Sequence, residues 1–210
     1  MRWPIVSLPS RARESMSSLA LDVFERLIDQ VDQIESAAIR SVADGHPNVA
    51  PILRRSGLVL AVASIDTFFH EHAASCLYAA ALRSPVEAAA VANYCKNVSA
   101  ANVAGLSGEG YIRMQLSYKT LVASRGIDMA LTAAGVDCEA IWRDTAFALN
   151  TRPDRLRIQL DLFYDRRNQI AHEGDWDLVQ LEFRNMEQAH LADCVRYLRA
   201  LARTIDQQLC

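Results

Sequence analysis

Apolar residues recur along most of the chain with the period of an α-helix. The first such pattern runs from Ser15 to Val42, where an apolar face lies opposite a face of carboxylates. A turn at Asp44-Gly45-His46-Pro47 ends this predicted helix. The residues predicted to point inward from it are Leu19, Val23, Leu27, Val31, Ile34 and Ile39.

Capping signals and the same periodicity predict the remaining helices. A second helix extends from Pro51 to about Arg83, and its length and alanine content favour helix over strand. The capping box Ser84-Pro85-Val86-Glu87 starts a third helix, which continues to about Ser99. Further helices are predicted over 111–124, 128–134, 137–149, 152–174 and 185–208, with a glycine-rich connector at 105–110.

These patterns predict an all-α fold, and no segment is typical of a strand. We expect a helical bundle with long core helices and extra short helices, forming a single domain over residues 1–210. Residues 15–43 are a candidate N-terminal helical arm of this domain.

The helix predicted over 152–174 has the clearest start and end. Pro153 suits the first turn, where its missing N–H leaves no bond unmade, and Gly174 suits the position just past the last turn. The helix therefore ends where Arg167, Asn168 and His172 stand. Its apolar residues, at the spacing of one buried face, are Leu156, Leu160, Phe163 and Ile170, with Leu162 beside them.

Composition excludes several classes of protein. About half of the residues are apolar, yet no uninterrupted run approaches the roughly 20 residues of a membrane helix, and the longest, Gly57 to Ile65, stops at Asp66. The N-terminal apolar run is too short for a signal peptide. Five scattered cysteines without a close pair fit reduced thiols. We therefore expect a cytoplasmic protein without a membrane segment.

Charge limits any contact with nucleic acid to a local surface. The formal net charge is −3, which is not typical of a protein that binds polyanions over a broad surface. The basic residues are almost all arginines, and Lys96 and Lys119 are the two lysines. Arginine is the better bidentate phosphate ligand, although a high-GC genome would produce the same bias.

Motifs for metal-dependent or triad hydrolysis are missing from the sequence. His70 and His72 are two residues apart, so they do not share a helix face as the histidines of a zinc protease do. We expect one surface and one partly buried histidine there. No cluster has zinc-site spacing, and no serine has a nucleophile-elbow context. The sequence thus predicts no metal and no cofactor.

An arginine followed by a histidine four to six residues later occurs more than once, as chance allows. Arg40 to His46, Arg166 to His172 and Arg184 to His190 are three such spacings, so the spacing alone carries no conclusion. A turn separates the first pair, and Asn185 in the third is explained as a helix cap. Only Arg167 combines an asparagine directly after it, an apolar Ile170-Ala171 before His172, and a glycine that ends the helix.

The sequence RNQIAHEG at 167–174 resembles the signature of the HEPN superfamily, most closely that of the RiboL-PSP type. The segment 58–69, with Asp66 before aromatic residues, is similar to the first core helix of that family. The resemblance implies an all-helical, metal-independent ribonuclease whose arginine, following polar residue and histidine form the site. It also implies a homodimer that joins two such motifs in one cleft, with RNA as substrate and an antitoxin or other regulatory protein as a partner.

The chemistry of these residues agrees with that implication. His172 suits proton transfer near neutral pH, Arg167 suits the charge that develops on phosphate, and Asn168 suits orientation of either group. Arg167 and His172 lie about 140° apart on an ideal helix, which one protomer presents poorly as a pair. Asp66 and Arg166 are candidates for a supporting role, and either arginine is a candidate to face the site.

Two alternatives to an active nuclease remain at this stage. One is a catalytically inactive HEPN-like module that binds a partner protein or a nucleotide at the same place. The other is purely structural, because cations in a last helical turn interact favourably with the helix carbonyls and the macrodipole.

Overall fold

The computed structural model describes residues 18–209, which form nine α-helices and a two-stranded hairpin, so the predicted all-α fold is confirmed. The predictions for residues 1–17, including the start of the first helix at Ser15 and the N-terminal apolar run, lie outside the described residues. The elements are α1 (Leu19–Ala43), α2 (Val49–Arg83), α3 (Pro85–Cys95), α4 (Ala100–Val103), α5 (Gly108–Leu116), α6 (Ser124–Ala133), α7 (Cys138–Ala148), α8 (Pro153–Glu173), β1 (Trp176–Asp177), β2 (Glu182–Phe183) and α9 (Gln188–Leu209).

Helix α2 is the centre of the bundle. It is 35 residues long and contacts α1, α3, α5, α6, α8 and α9. Because neighbours surround it, its buried residues are distributed around the helix instead of along one stripe. Leu58, Ile65, Phe68 and Leu77 are among its fully buried side chains.

Helix α1 packs along α2 and belongs to the same core, so it is not a detached arm. The predicted inward face was correct only in part: Val31 is buried as predicted, but Leu19 and Ile39 are exposed. Phe24 and Ile28, which the prediction left out, are fully buried. Phe24 packs edge-on against Phe68, with ring centroids 6.0 Å apart. The prediction missed this face because small alanines occupy both of its ends, at positions 20 and 38.

The middle helices differ from prediction at their boundaries. Ser84 caps α3 as predicted, and its Oγ accepts from the backbone N–H of Glu87 at 3.2 Å. α3 ends early at Cys95, because the next two residues have positive φ. α5 begins inside the predicted connector, where Gly108 lies so close to Val103 that a Cβ atom would stand 2.0 Å from its carbonyl oxygen.

The C-terminal part of the chain follows the prediction more closely. α8 has the predicted limits, with Pro153 at its start and Gly174 in the left-handed conformation just past its end. β1 and β2 pair antiparallel, and each strand has two residues, too few for a period-2 pattern to be recognised. The apolar stripe of the last predicted helix indicates its inward residues, and all six are buried, with Met186 just before the start of α9: Met186, Leu191, Val195, Leu198, Leu201 and Ile205.

Among the helices of residues 18–209, none combines the length and hydropathy needed to span a membrane.

Candidate functional site

The C-terminal end of α8 is shaped by two consecutive residues with positive φ, Gly174 and Asp175. The backbone N–H of Gly174 and that of Asp175 both donate to the carbonyl of Gln169, which closes the last turn. The chain then reverses into the hairpin formed by β1 and β2. His172 therefore stands in a last turn whose end is fixed by backbone hydrogen bonds.

Asp175 is the buried anchor of this helix end. Its side chain is fully buried, and it accepts from Arg55 of α2 and from Arg166 of α8. Arg55 Nε lies 2.5 Å from Asp175 Oδ2, and Arg166 Nη2 lies 2.9 Å from the same oxygen. Arg166 Nη1 donates to Oδ1. Two charge-assisted pairs thus hold the hairpin, α2 and α8 together.

The same two arginines also reach the backbone that follows the hairpin. Arg55 Nη2 donates to the carbonyl of Arg184 at 2.7 Å, and Arg166 Nη2 donates to that of Asn185 at 3.3 Å. In turn, the backbone N–H of Arg184 donates to the carbonyl of Asp175 at 2.9 Å. Arg166 therefore supports the fold. Of the two adjacent arginines, Arg167 is the one that remains available at the surface.

Arg167 stands beside this anchor and takes no part in it. Its guanidinium carbon lies 5.2 Å above the ring of Tyr164, and within residues 18–209 no hydrogen bond or ion pair reaches its guanidinium. A cation over an aromatic ring keeps its donors available for a second ligand. Arg167 is consequently suited to bind an oxyanion.

Asn168 and His172 are the other two residues of the predicted site. They are four positions apart on α8 and share one side of the helix, with Asn168 half-buried and His172 exposed. In the described part of the chain, no hydrogen bond reaches either side chain. The single chain thus brings Asn168 and His172 together, while Arg167 lies about 140° around the helix from His172.

Asp66, the candidate supporting carboxylate, is occupied elsewhere. Its Oδ1 accepts from the backbone N–H of Leu121 at 2.7 Å and lies 3.5 Å from Nδ1 of His70. Within the described chain, no hydrogen bond or ion pair joins Asp66 to Arg167 or His172. Asp66 therefore fixes the segment before α6 instead of supporting the end of α8.

The two histidines of α2 also have structural partners. His70 is half-buried, and its Nε2 lies 3.1 Å from the carbonyls of Leu116 and Lys119. His72 is buried, and its Nε2 donates to Asp206 Oδ1 at 2.9 Å. Burial lowers the pKa of His72, although the hydrogen bond and the charge of Asp206 oppose that shift. Across residues 18–209, no group of three His, Cys, Asp or Glu side chains has the proximity of a metal site.

Arg184 and Asn185, which belong to a spacing set aside on sequence grounds, lie close to the end of α8. Arg184 Nη1 is 2.9 Å from Glu173 and 3.0 Å from the carbonyl of Trp176. Arg184 is therefore engaged, as Arg166 is. His190 is exposed, and its Nδ1 accepts from the backbone N–H of Glu187 at 3.2 Å.

A broad groove of about 940 Å³ runs along the same end of α8. It is lined by the first half of α2, by Ile170 and Gly174, and by the segment 183–186. Most of the lining residues are apolar, and the polar ones include Arg55 and Arg184. Sequence reasoning missed this groove because its walls come from parts of the chain more than a hundred residues apart.

Comparison with known proteins found no matching protein family, no similar curated protein and no similar solved structure. The functional argument therefore depends on the residues and their geometry.

Proposed function

We propose that the chain is a metal-independent endoribonuclease of the HEPN type, with Arg167, Asn168 and His172 as its site. The observation that carries the proposal is the contrast at the end of α8. Arg166 is held by the buried Asp175, whereas Arg167 has no anionic partner within residues 18–209 and His172 is exposed. The three residues of the signature are thus those that the fold leaves available to a ligand.

The proposed reaction is cleavage by the neighbouring 2′-hydroxyl. The 2′-oxygen attacks phosphorus as its proton passes to a base, and the bond from phosphorus to the 5′-oxygen breaks as that oxygen takes up a proton. The products are a 2′,3′-cyclic phosphate and a 5′-hydroxyl. An exposed imidazole suits the proton transfers. The free guanidinium of Arg167 suits the two oxygens that gain charge in the transition state.

A homodimer completes the proposed site. Because Arg167 and His172 point to different sides of α8, one chain does not direct both at one phosphate. In a two-fold dimer, the arginine of one protomer and the histidine of the other face one cleft, as the HEPN resemblance implies. We place this activity in the cytoplasm, in a defence, toxin or RNA-repair setting, with an antitoxin or similar protein as regulator.

The second candidate is a catalytically inactive HEPN-like module that binds a partner protein or a nucleotide. The groove of about 940 Å³ beside α8 favours it, because mostly apolar grooves with a few polar groups are typical of binding sites. It predicts intact RNA, together with a ligand that raises the melting temperature of the protein.

The deciding experiment incubates purified protein with single-stranded RNA in EDTA and analyses the ends of the fragments. We expect cleavage with 2′,3′-cyclic phosphate ends, and a loss of about 100-fold or more in rate for His172→Ala. His190→Ala is the matched control, because His190 is also exposed and also follows an Arg-Asn pair. We expect that control to cut at the wild-type rate.

Intact RNA with the wild-type protein would overturn the nuclease proposal. Equal losses of cleavage rate in the two histidine variants would show that the effect is not specific to the site. Melting curves of both variants complete the test. We expect His172→Ala to match the wild type, because its side chain is exposed, and His190→Ala to lose at most about 1 kcal/mol with the hydrogen bond from the N–H of Glu187.

A further inference from the structure

The two lysines of the chain line the same pair of adjoining hollows. Lys96 directly follows α3, and Lys119 lies in the connection from α5 to α6. Both residues line a hollow of about 560 Å³ and a second one of about 480 Å³. Arg125, near the start of α6, adds a third cation to the larger hollow. Because the hollows share both lysines, they form one continuous surface, which we call the lysine surface.

The three cations of the lysine surface are free of carboxylates, since no ion pair reaches any of them within residues 18–209. Among the described residues that line the hollows, Asp128 is the single carboxylate, and it is engaged elsewhere. Its Oδ1 accepts from Trp142 Nε1 at 2.7 Å, and its Oδ2 lies 3.3 Å from Arg157 Nη2. The groove beside α8 differs, because its Arg55 and Arg184 are both paired with carboxylates.

The segment that carries Lys119 is held in place by α2. His70 Nε2 lies 3.1 Å from the carbonyl of Lys119, and Asp66 Oδ1 accepts from the backbone N–H of Leu121 at 2.7 Å. The ammonium of Lys119 lies 4.8 Å above the ring of Tyr94, which leaves its donors available. A cation held in advance on a fixed segment loses little conformational entropy when it binds an anion.

Aromatic rings and amides accompany the cations. Tyr118 lines the smaller hollow with 81% of its surface exposed, and the half-buried Tyr94 lines the larger one. Every nucleobase has a π-face, so an exposed ring binds bases with little regard to sequence. Amide side chains both donate and accept hydrogen bonds, as base edges do. Those that line the two hollows are Asn93, Asn97 and Gln115.

We propose that the lysine surface binds a single strand of RNA, with phosphates at Lys96, Lys119 and Arg125 and a base stacked on Tyr118. Cations that follow the backbone, combined with rings that stack bases, are the usual features of a surface for single strands. An acidic peptide would use the cations but would leave the rings and amides without a role. The choice of RNA as the nucleic acid rests on the proposed nuclease function.

The lysine surface is also joined to the helix that carries the proposed catalytic site. Ser124, directly before Arg125, donates to Asp161 of α8 through its backbone N–H and its hydroxyl, at 2.8 and 2.9 Å. Asp161 is six residues before Arg167, about 9 Å along the helix. The lysine surface therefore holds the strand beside the helix whose end cuts it.

The first test measures binding by fluorescence anisotropy with a labelled strand of about 12 nucleotides. Its riboses are 2′-O-methylated, so the 2′-oxygen cannot attack and binding is measured whether or not the protein cuts RNA. We expect the dissociation constant to rise about 10-fold or more for Lys96→Gln with Lys119→Gln. Arg26→Gln with Arg40→Gln is the matched control, since it removes the same charge from two exposed arginines of α1. We expect that control to bind as the wild type does.

The second test separates phosphate contacts from stacking. For single strands, log affinity falls with log salt concentration by about 0.7 per phosphate contact, so the double lysine variant should lower this slope by about 1.4. Tyr118→Ala should weaken binding about 10-fold and leave the slope unchanged, because stacking is lost. Phe147→Ala, which removes a ring that is 87% exposed in α7, is the control and should bind normally.

Melting curves of every variant accompany both tests. Lys96→Gln alone, at an exposed position, replaces the double variant if Lys119→Gln lowers the melting temperature. We then expect about half of the change in the salt slope, because one phosphate contact is lost instead of two.

Three results would overturn the inference. The first is a wild type that does not bind the strand, and the second is an equal loss of affinity in the lysine and α1 variants. The third is normal binding by Tyr118→Ala, or tighter binding of a labelled decaglutamate peptide than of the strand. That result would assign the surface to an acidic protein partner.

The outcomes also separate this inference from the nuclease proposal. RNA cleavage that the lysine variants leave unchanged, together with unchanged affinity for the methylated strand, overturns this inference alone. Binding that depends on the lysines and on Tyr118 sustains the inference even if the protein leaves ordinary RNA intact, which overturns the nuclease proposal alone.

Discussion

Arg166 and Arg167 are consecutive residues of α8, yet their guanidinium groups are in opposite surroundings. Arg166 is paired with a fully buried carboxylate, whereas Arg167 lies over the ring of Tyr164 at the surface. Arg166 is needed for the fold, because removing it leaves the buried carboxylate of Asp175 with one partner fewer. Arg167 is available for a ligand. One helical turn therefore has a structural side and a side that is left without an ion pair within residues 18–209, and the residue type does not distinguish them.

The largest effect is expected from removing Asp175, the buried partner of Arg166. For Asp175→Ala we expect the free energy of unfolding to fall by about 3–5 kcal/mol, because two charge-assisted pairs are lost at a buried site. Alanine is also strained at the positive φ of this position. Urea denaturation measures the change. Asp175→Asn is the second variant, because asparagine tolerates a positive φ but does not carry the charge. A loss below about 1 kcal/mol in both would remove Asp175 from the framework.

Replacing Arg166 and Arg167 by alanine, one at a time, compares the two sides of this helical turn directly. We expect Arg166→Ala to lower the free energy of unfolding by about 2–3 kcal/mol, as the loss of hydrogen bonds to a buried charged group implies. Arg167→Ala is expected to lower it by less than about 1 kcal/mol, because a partly exposed cation–π contact is the interaction lost. RNA cleavage should show a large loss for Arg167→Ala with stability kept. Equal losses of stability in the two variants would contradict the distinction between Arg166 and Arg167.

The contrast between His72 and His172 adds a dependence on pH. The pKa of His72 is lowered in the fold from its usual 6.5. Below about pH 6.5 the unfolded chain binds a proton at this residue that the folded chain does not, so the free energy of unfolding falls as the pH falls. The slope is at most about 1.4 kcal/mol per pH unit. Denaturation between pH 7.5 and 5.5 measures it.

His72→Gln is expected to remove this slope, since its amide keeps a donor for Asp206 but has no proton to gain. His172→Gln, the control at the exposed histidine, should retain it. A slope that survives in His72→Gln would mean that another group titrates in this range.

The smallest expected effect concerns the glycine that ends α8. Gly174→Ala should lower the free energy of unfolding by about 1 kcal/mol, because alanine is strained at φ +62° although nothing lies within 4 Å of the added carbon. Gly110→Ala is the control, with the same open space but no positive φ, inside α5. There alanine should stabilise by up to about 1 kcal/mol. Thermal melting separates the opposite signs.

The limits of α8 were predictable because Pro153 and Gly174 are local signals, and the inward residues of α9 followed from one clear apolar stripe. The buried face of α1 was not predictable, because the exposed Leu19 and Ile39 are as apolar as the buried Phe24 and Ile28. Which of two neighbouring apolar rows is buried depends on the neighbour α2, and the sequence of α1 alone does not contain that information.

At the candidate site, too, the sequence does not contain the long-range contacts that decide the role of a residue. Arg167, Asn168 and His172 were identified from their order along the chain, but the role of Arg166 depends on Asp175 and Arg55. A buried aspartate is not expected from sequence, because carboxylates are seldom fully buried without partners. Its partner in α2 is 120 positions away, and no local pattern connects the two.

The contact between Arg55 and Asp175 joins two positions that are 120 residues apart along the chain. Bringing such distant residues together costs conformational entropy that local contacts do not cost, and non-local contacts slow folding. The end of α8 therefore cannot be fixed by local folding alone, because its buried carboxylate depends on α2 lying beside it.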